Sequence, residues 1–328
     1  MIRLSSNIGL GNFSFDFVHS VEITSSWETL TDTAKIIIPK KLRLKKDGGF
    51  SGNITVGDSG LWRRGDTVTI DLGYNNILDR RFTGFITGIH TKLPPEFICQ
   101  DAMWQLKQVN IPKYTKTVGL RQLLTDILPS QYTFVADNVN LGKFRITRAT
   151  IVEVLDYIKR KYGLSAYFRS GVLYVGFAYQ LGVNTEIDQD RIVEFEFYKN
   201  IIDDSGLDYL RDDDVSIQVT AVNVHPDNTR TEIKVGDSFG DQRTLYFYNI
   251  TNSDLTRLAN EALEKLKYEG FRGSFTTFIQ PKVEHGDAVR LKDPDIPDRN
   301  GVYLVRQVVT RAGVDGGRQE ITLDRKIA

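Results

Sequence analysis

The sequence predicts a mainly β protein with α+β insertions: two antiparallel β-barrels and a small α+β middle region. Strand-like alternation of apolar and polar residues fills the first third of the chain and returns from about residue 190. Two amphipathic helices stand between these regions. A turn and its following strands also occur twice. We therefore expect domains over 1–108, 109–189 and 190–328.

The N-terminal region alternates with period two at Phe13, Phe15 and Phe17, as expected of a strand with one buried face. The segment "TAKIIIP" predicts a buried strand that ends at Pro39. The segments "DTVTIDLGY" and "RRFTGFITGIHTK" predict two further strands, because the turn-forming sequence "NNILD" joins them. These elements predict the first barrel, over residues 1–108.

The middle region, 109–189, changes to helical periodicity. The segment "TVGLRQLLTDIL" predicts a helix capped by Thr117. In "TIVEVLDYIKRKYG", Thr150 and Glu153 predict a capping box, and Gly163 a C-terminal cap. The segment "SAYFRSGVLYVGF" predicts a hairpin that turns at 170–171.

Strands return over 190–328, where the second barrel is predicted. One helix, at about 252–268, interrupts them. Its stripe of Leu255, Leu258 and Leu266 is expected to pack on the outside of the second barrel. The remaining segments, such as "GVYLVRQVVTRAG" and "RQEITLDRK", are typical of antiparallel strands.

An internal repeat links the two ends of the chain. Gly65-Asp66 and Gly286-Asp287 each precede a strand, a loop, a second strand, a turn and a third strand. Glycine accommodates positive φ in such a tight turn, and the aspartate can hydrogen-bond the local backbone. A Gly-Asp turn is common in β proteins, so the order of the elements after it favours two related barrels.

Composition limits the possible functions. Hydrophobic residues make up 41% of the 328 residues, and 42 Lys+Arg balance 42 Asp+Glu. This composition predicts a packed core and no general attraction to nucleic acid or anionic membrane. The single cysteine, Cys99, excludes an intramolecular disulfide. Without a membrane-length apolar run or a secretory signal, we expect synthesis in a cytoplasm and no membrane insertion.

The sequence contains no recognisable catalytic, cofactor or metal motif, so we predict no enzyme activity and no cofactor. The four histidines, at 19, 90, 225 and 285, are not at metal-ligand spacing. The acidic segment "IIDDSGLDYLRDDDV" lacks the EF-hand order of ligands. Glu194 and Glu196 alternate with aromatics on a strand. A hydrolytic carboxylate pair there stays open, although exposed strand glutamates are ordinary.

A basic segment precedes the first Gly-Asp turn. Its length and glycine content predict an extended loop or projecting hairpin over 40–64, and its charges favour a solvated or protein-docking loop over nucleic-acid contact. The charged residues of this possible assembly loop are Lys40, Lys41, Arg43, Lys45 and Lys46.

The order of these segments resembles the baseplate hub, or late-control D, family of phage tails and contractile injection systems. The similarity runs nearly end to end, through "VEITSSWETLTDTAKIIIP", "GDTVTIDLGY...RRFTGFITGI", "VGLRQLLTDIL" and "VEHGDAVRL...GVYLVRQVVTRAG". It implies that the two barrels are similar to tail-tube subunits. Three chains would then form a pseudo-sixfold ring between a hexameric tail tube and a trimeric spike.

The resemblance also implies partners and a location. The expected partners are two further copies of the chain, the tail tube protein, the spike protein, and baseplate wedge or tape-measure proteins. Nucleic acid would only pass through the lumen. The expected location is a virion tail or injection-particle baseplate, assembled in the bacterial host cytoplasm. Five residues follow Leu323, so lytic activity is expected of a separate protein.

Two alternatives remain at this point. One is a host-surface or carbohydrate-binding β protein at a tail tip, which would need clustered surface aromatics; the three tryptophans, Trp27, Trp62 and Trp104, are scattered. The other is a cell-wall hydrolase, for which peptidoglycan zymography is the test.

Overall fold

The computed structural model describes residues 3–39, 41–46, 49–55, 61–90, 94–176 and 192–327, with backbone only for 41–46 and 49–55. The predicted mainly β class with α+β insertions is confirmed. None of the helices among these residues is long and apolar enough to cross a membrane.

The described residues of the N-terminal unit form nine strands. They are β1 (Leu4–Leu10), β2 (Phe13–Phe15), β3 (Ser20–Ser26), β4 (Thr33–Ile37), β5 (Lys41–Lys46), β6 (Gly49–Thr55), β7 (Thr67–Tyr74), β8 (Ile77–His90) and β9 (Glu96–Gln100).

The middle unit combines three helices with short strands. They are α1 (Met103–Leu106), β10 (Asn110–Ile111), β11 (Tyr114–Gly119), α2 (Leu120–Ile127), β12 (Phe134–Ala136), β13 (Asn140–Ile146), β14 (Ala149–Thr150), α3 (Ile151–Tyr162), β15 (Ser165–Arg169) and β16 (Val172–Gly176).

The described residues of the C-terminal region form ten strands, one α-helix and two 3₁₀ turns, Asp212–Asp214 and Pro297–Arg299. The others are β17 (Val193–Glu196), β18 (Ile201–Asp203), β19 (Leu207–Leu210), β20 (Ile217–Val224), β21 (Arg230–Gly236), β22 (Asp241–Tyr248), α4 (Asn252–Leu266), β23 (Gly270–Thr277), β24 (Ala288–Lys292), β25 (Gly301–Gly313) and β26 (Gly316–Lys326).

Sixteen of the described strands form one continuous sheet. In the N-terminal unit the spatial order is β3-β4-β9-β8-β7-β1, continued by β2, β5 and β6. In the C-terminal unit it is β18/β19-β23-β26-β25-β24-β17. The strands that occupy equivalent positions in the two units also occur in the same order along the chain. The two units therefore share a topology, apart from β17, which pairs parallel with β24 while β1 pairs antiparallel with β7.

Strand pairing among the described residues closes neither unit into the predicted barrel. The path is open because the outer edge of β3, which closure of the first unit would need, pairs instead with β25 of the second unit. The two units are thus curved parts of one sheet. Each has its own apolar core, the first around Ile36, Ile70 and Phe97, and the second around Phe195 and Tyr303.

The middle unit has a larger core, formed by the inner faces of α2 and α3 with the short strands and joined by Val222 and Val224 of β20. The predicted capping box is confirmed: the Thr150 side chain accepts from the Glu153 N–H while the Glu153 carboxylate accepts from the Thr150 N–H. Gly163 ends α3 at φ 67°, in the left-handed region. Thr117 as cap of α2 is wrong. It lies in β11, and Gly119 precedes the helix in extended conformation.

The helix α4 belongs to an insertion between β19 and β23. Leu255 and Ala259 pack with Ala221 of β20, and Leu263 contacts the neighbouring cluster around Val219. The predicted packing of this helix on the outside of the second barrel is therefore wrong. The strands β20, β21 and β22 form a separate three-stranded sheet that supplies the apolar surface for the helix.

Candidate assembly interface

The first Gly-Asp turn holds β7 against β8. Gly65 has φ 98°, which only glycine adopts without strain. The Asp66 carboxylate accepts a hydrogen bond from the backbone N–H of Arg63 at 2.7 Å. Two backbone bonds then fasten the turn to Ile86: the Gly65 N–H donates to the Ile86 carbonyl at 2.8 Å, and the Ile86 N–H to the Asp66 carbonyl at 2.9 Å.

The second turn repeats each of these contacts. Gly286 has φ 82°, and the Asp287 carboxylate accepts from the backbone N–H of Glu284 at 2.8 Å. The Gly286 N–H donates to the Val305 carbonyl at 2.8 Å, and the Val305 N–H to the Asp287 carbonyl at 2.9 Å. Ile86 and Val305 therefore occupy equivalent positions in the two units.

A register shift follows each turn at the same place. It falls between Ile86 and Gly88 in the pairing of β8 with β9, and between Val305 and Gln307 in the pairing of β25 with β26. Bulges of this kind bend a strand and redirect its end. Beyond the bulge, β8 no longer pairs with β7, and β25 no longer pairs with β24. One edge of each strand end can therefore pair with another unit.

In the second unit this redirected strand forms the junction between the units. The end of β25 pairs antiparallel with β3 over seven residue pairs, from Gln307 opposite Ser26 to Gly313 opposite Ser20. The guanidinium of Arg311 lies 2.8 Å from Glu22, directly opposite on β3. The two units are thus joined edge to edge by main-chain hydrogen bonds, as in a continuous sheet.

Side chains reinforce this junction. Ile279 of the second unit is fully buried in the core of the first. The guanidinium of Arg81, only 3% exposed, donates to the Ile279 carbonyl. The Tyr74 hydroxyl donates to the Gly317 carbonyl at 3.1 Å. Because buried apolar and polar contacts both cross it, the junction holds the two units at one angle.

The middle unit contacts both Gly-Asp turns. The ring of Trp104 packs over Gly65 and lies beneath the guanidinium of Arg64 at 5.8 Å. At the other turn, Arg169 forms an ion pair with Asp287. The repeated turns are therefore supported from one side by a shared element, through apolar packing in one case and charge in the other.

A buried carboxyl pair lies where the first and middle units meet. Asp32 accepts from the Ser26 N–H at 3.2 Å, and its own N–H donates to Asp101 at 3.0 Å. Burial, with the nearby Asp101 charge, raises the pKa of Asp32 to about 8. Burial also raises the pKa of Asp101 to about 6. The protonated form of Asp32 is therefore favoured in the folded protein.

The basic segment includes the hairpin of β5 and β6. Lys41, Arg43, Lys45 and Lys46 lie on β5, and Lys40 lies outside the described residues. Among the described residues, one backbone pair joins the hairpin to the main sheet, Ser14 opposite Lys45. This weak attachment distinguishes it from the strands that carry the core.

The three tryptophans do not form a surface platform. Trp27 and Trp62 are 8% and 9% exposed, and Trp62 donates from its indole N–H to the Leu10 carbonyl at 3.1 Å. Trp104 is covered by Arg64 as described. The aromatic cluster that a carbohydrate groove needs is therefore not built from these residues.

A cleft of about 380 Å³ lies between the inserted sheet and the second unit. Arg243, Arg272 and Arg306 line it, together with Asp324, whose carboxyl pKa is raised by burial. Arg272 stacks on Tyr268, with the guanidinium carbon 4.0 Å from the ring centre. The cleft therefore brings arginine side chains and the buried Asp324 carboxyl together.

The other predicted chemical groups are also dispersed. Within the described residues no three His, Cys, Asp or Glu side chains come together as a metal site. Glu194 pairs with Lys292 at 2.7 Å and Glu196 with Lys199 at 3.0 Å. These pairs are ordinary surface ion pairs of a strand.

The residues that carry the junction were not found from the sequence. Glu22 and Arg311, which pair across the junction, are single charged residues in segments with no motif. The same holds for Asp32 and Arg169, which lie where the middle unit meets the other two units. One indirect sign of the junction was present in the sequence, in the second copy of the repeat. Its long strand β25 extends beyond its pairing with β24, so its end needs another neighbour.

No protein-family model and no characterised protein sequence matches the chain. Solved structures do. A tail protein from Neisseria meningitidis MC58 is similar with TM-score 0.58 and 16% identity, over 99% of this chain and 96% of that one. The 43 kDa tail protein of prophage MuSo2 from Shewanella oneidensis is similar with TM-score 0.61 and 13% identity, over 98% of each.

A third similar structure is an Escherichia coli component of the type VI secretion system, itself described as similar to the T4 bacteriophage tail proteins gp27 and gp5. It matches with TM-score 0.51 and 11% identity, over 99% of this chain and 76% of that one. The fold is therefore that of phage tail and injection-system tail proteins. This confirms, at the level of the fold, the resemblance drawn from the sequence.

Proposed function

We propose that this protein is a structural subunit of a phage tail or contractile injection system, and that its particular role is the baseplate hub. The observation that carries the proposal is the edge-to-edge junction of two units with the same topology in one chain. A chain with such a repeat is suited to stand between a sixfold and a threefold structure.

The geometric argument starts from the direction of the junction. The β25 end of one unit meets the β3 edge of the other, so the interface is heterologous rather than self-complementary. Heterologous contacts repeat head to tail and close into a ring when the rotation per unit divides a full turn. Three chains of two units each would close a ring at about 60° per unit.

Such a ring assigns the partners. One face would meet a hexameric tail tube and the other a trimeric spike, with baseplate wedge or tape-measure proteins outside and nucleic acid or cargo passing through the lumen. The hairpin of β5 and β6 is the proposed contact with an adjacent ring or the spike, because one pair among the described residues attaches it to the main sheet. The protein would act in the virion tail or injection-particle baseplate, after assembly in the host cytoplasm.

We infer no catalytic role: arginines and the buried Asp324 carboxyl line the cleft, and Trp27 and Trp62 are buried. Neither the carbohydrate-binding nor the hydrolase alternative gains an observation in its favour.

Mass photometry of the protein with its cognate spike, followed by electron cryomicroscopy, tests the hub role. The expected particle contains three copies of this chain, with residues 1–108 and 190–328 alternating around a lumen. A hexamer of this chain, or a protein that stays monomeric with spike and tube present, would refute the proposal.

A further inference from the structure

The junction between the two units uses one edge and one strand end. The edge is the side of β3 that faces away from β4, and the strand end is the part of β25 beyond its bulge. Because the units share a topology, each has a counterpart of both features. One counterpart of each kind remains after the junction has formed.

The counterpart of the β3 edge is β19. The strands β4 and β23 are equivalent, because they pair with the equivalent strands β9 and β26. Thr24 pairs with Thr33 on β4, as Asp208 pairs with Arg272 on β23. When the strand pairs are counted from the two equivalent bulges, Asp208 of the second unit occupies the position that Thr24 occupies in the first.

The counterpart of the β25 end is the end of β8, at 87–90. Gly88 follows its bulge as Gln307 follows the other, so His90 is equivalent to Val309. In β25 this segment pairs with β26 on one side and β3 on the other. In β8 it pairs with β9 alone.

Both counterparts have an unpaired edge in the described part of the chain. The strand β19 pairs with β23 alone, and the last residues of β8 pair with β9 alone. An unpaired edge exposes main-chain donors and acceptors that favour the addition of another strand. The two edges cannot satisfy each other within one chain, since both units already meet through β3 and β25.

We propose that the end of β8 in one chain pairs antiparallel with β19 of a second copy, and so repeats the internal junction between chains. The internal register transfers directly: Val309 opposite Thr24 becomes His90 opposite Asp208. The same shift places Gly88 opposite Leu210. This inference rests on the proposed ring, and it names the strands and the register that close it.

The side chains support this register. His90 and Asp208 are both exposed; the His90 side chain is 55% accessible, although its Nδ1 already lies 3.2 Å from Glu96 of β9. An imidazole directly opposite a carboxylate is a favourable cross-strand pair. The internal junction uses the same kind of contact, in which Arg311 faces Glu22. Ile89 and Tyr209 would meet beside this pair, each already packed on the core of its own unit.

Disulfide trapping tests the register. The double variant His90→Cys with Asp208→Cys is oxidised in the full-length protein, with spike present, and run on a non-reducing gel. The expected result is a covalent species of three chains that reduction returns to one. Each single-cysteine variant is expected to give none, and Cys99 does not compete because it is fully buried.

Two matched pairs serve as controls. Thr24→Cys with Val309→Cys reproduces the same geometry within the chain, and should close without joining chains. His90→Cys with Asp203→Cys moves the second cysteine to the residue opposite Thr276, four places along β23 from the partner of Asp208, or roughly 13 Å, and should not cross-link. Thermal midpoints near that of the unmodified protein confirm that the variants fold.

The outcomes separate this inference from the hub role. A three-chain ring by mass photometry, in which only the internal control pair closes, would overturn the proposed strand pairing and leave the hub standing. A product that stops at two chains would overturn the ring geometry. Absence of both ring and cross-link, with spike and tube present, would refute both proposals.

Discussion

Asp66 and Asp287 perform the same structural task 221 positions apart (287 − 66 = 221), each accepting a hydrogen bond from the backbone N–H three residues earlier. They differ in one respect. Asp287 also pairs with Arg169 of the middle unit, whereas Gly65 beside Asp66 is covered by Trp104. The two copies therefore share the structure of the turn and differ in the middle-unit side chain that packs against it.

The glycines of the two turns are expected to be intolerant of a side chain. Gly65→Ala and Gly286→Ala should each lower the free energy of unfolding by about 1–3 kcal/mol, because alanine is strained at these positive φ angles. Urea denaturation gives the values. Gly88→Ala is the matched control, since a Cβ there meets Ile98 only at ordinary contact distance, 3.6 Å. Equal costs at all three positions would argue against backbone strain.

Asp287→Asn should destabilise the protein more than Asp66→Asn does. Asparagine keeps an oxygen for the backbone N–H in both turns, but only Asp287 loses a charge partner. With Arg169 and Asp287 about one-third exposed, the difference should be about 0.5–1 kcal/mol. A double-mutant cycle with Arg169→Gln measures this coupling. A coupling energy of zero would show that the two side chains are close together without stabilising the fold.

The stability of the protein should fall with rising pH through the titration of Asp32. Its folded-state pKa of about 8 lies above the unfolded value of about 4, so the folded state binds the proton more tightly. That contribution is fully present below about pH 4 and is lost as the pH rises through 8. Asp32→Asn should remove this slope, which for one proton is at most about 1.4 kcal/mol per pH unit.

Urea denaturation of the unmodified protein and of Asp32→Asn between pH 6 and pH 9 measures this pH dependence of stability. Asp101→Asn is the companion variant, because its own raised pKa, about 6, predicts a slope at lower pH. A slope between pH 7 and pH 9 that persists in Asp32→Asn would assign it to another group.

The helix α4 should be sensitive at Leu255 and tolerant at Leu258. Leu255 is fully buried against the inserted sheet, while Leu258 is only partly covered. Leu255→Ala should cost about 2–4 kcal/mol, and Leu258→Ala clearly less. Hydrogen exchange should show the loss mainly in β20, β21 and α4. A loss spread equally over the main sheet would contradict the separate core of the insertion.

Removal of the basic hairpin should block assembly without unfolding the chain. Replacement of Lys41–Thr55 by a short Gly-Ser linker removes one described backbone pair with β2. The thermal midpoint should therefore change little, while particle yield falls. Charge-neutral replacement of the four basic residues on β5 tests whether charge or shape matters. Assembly at normal yield after the deletion would reject this role.

Local patterns in the sequence were sufficient for the class of fold and for several details. The capping box at Thr150 and Glu153 is local chemistry, so it could be read directly and is confirmed. The hairpin that turns at Ser170 and Gly171 is confirmed for the same reason, with both residues at positive φ. The order of strands after the two Gly-Asp turns could also be predicted from the sequence alone.

Only the tertiary structure decided where strand edges and helix faces go. Period-two alternation shows that β3 has a buried face, but it does not say that its edge pairs with β25, 281 positions on (307 − 26 = 281). The stripe of α4 shows an apolar face without identifying the sheet that covers it. Hydrogen-bonding edges and apolar surface are satisfied by whichever partner the whole chain brings near, and that choice is not encoded locally.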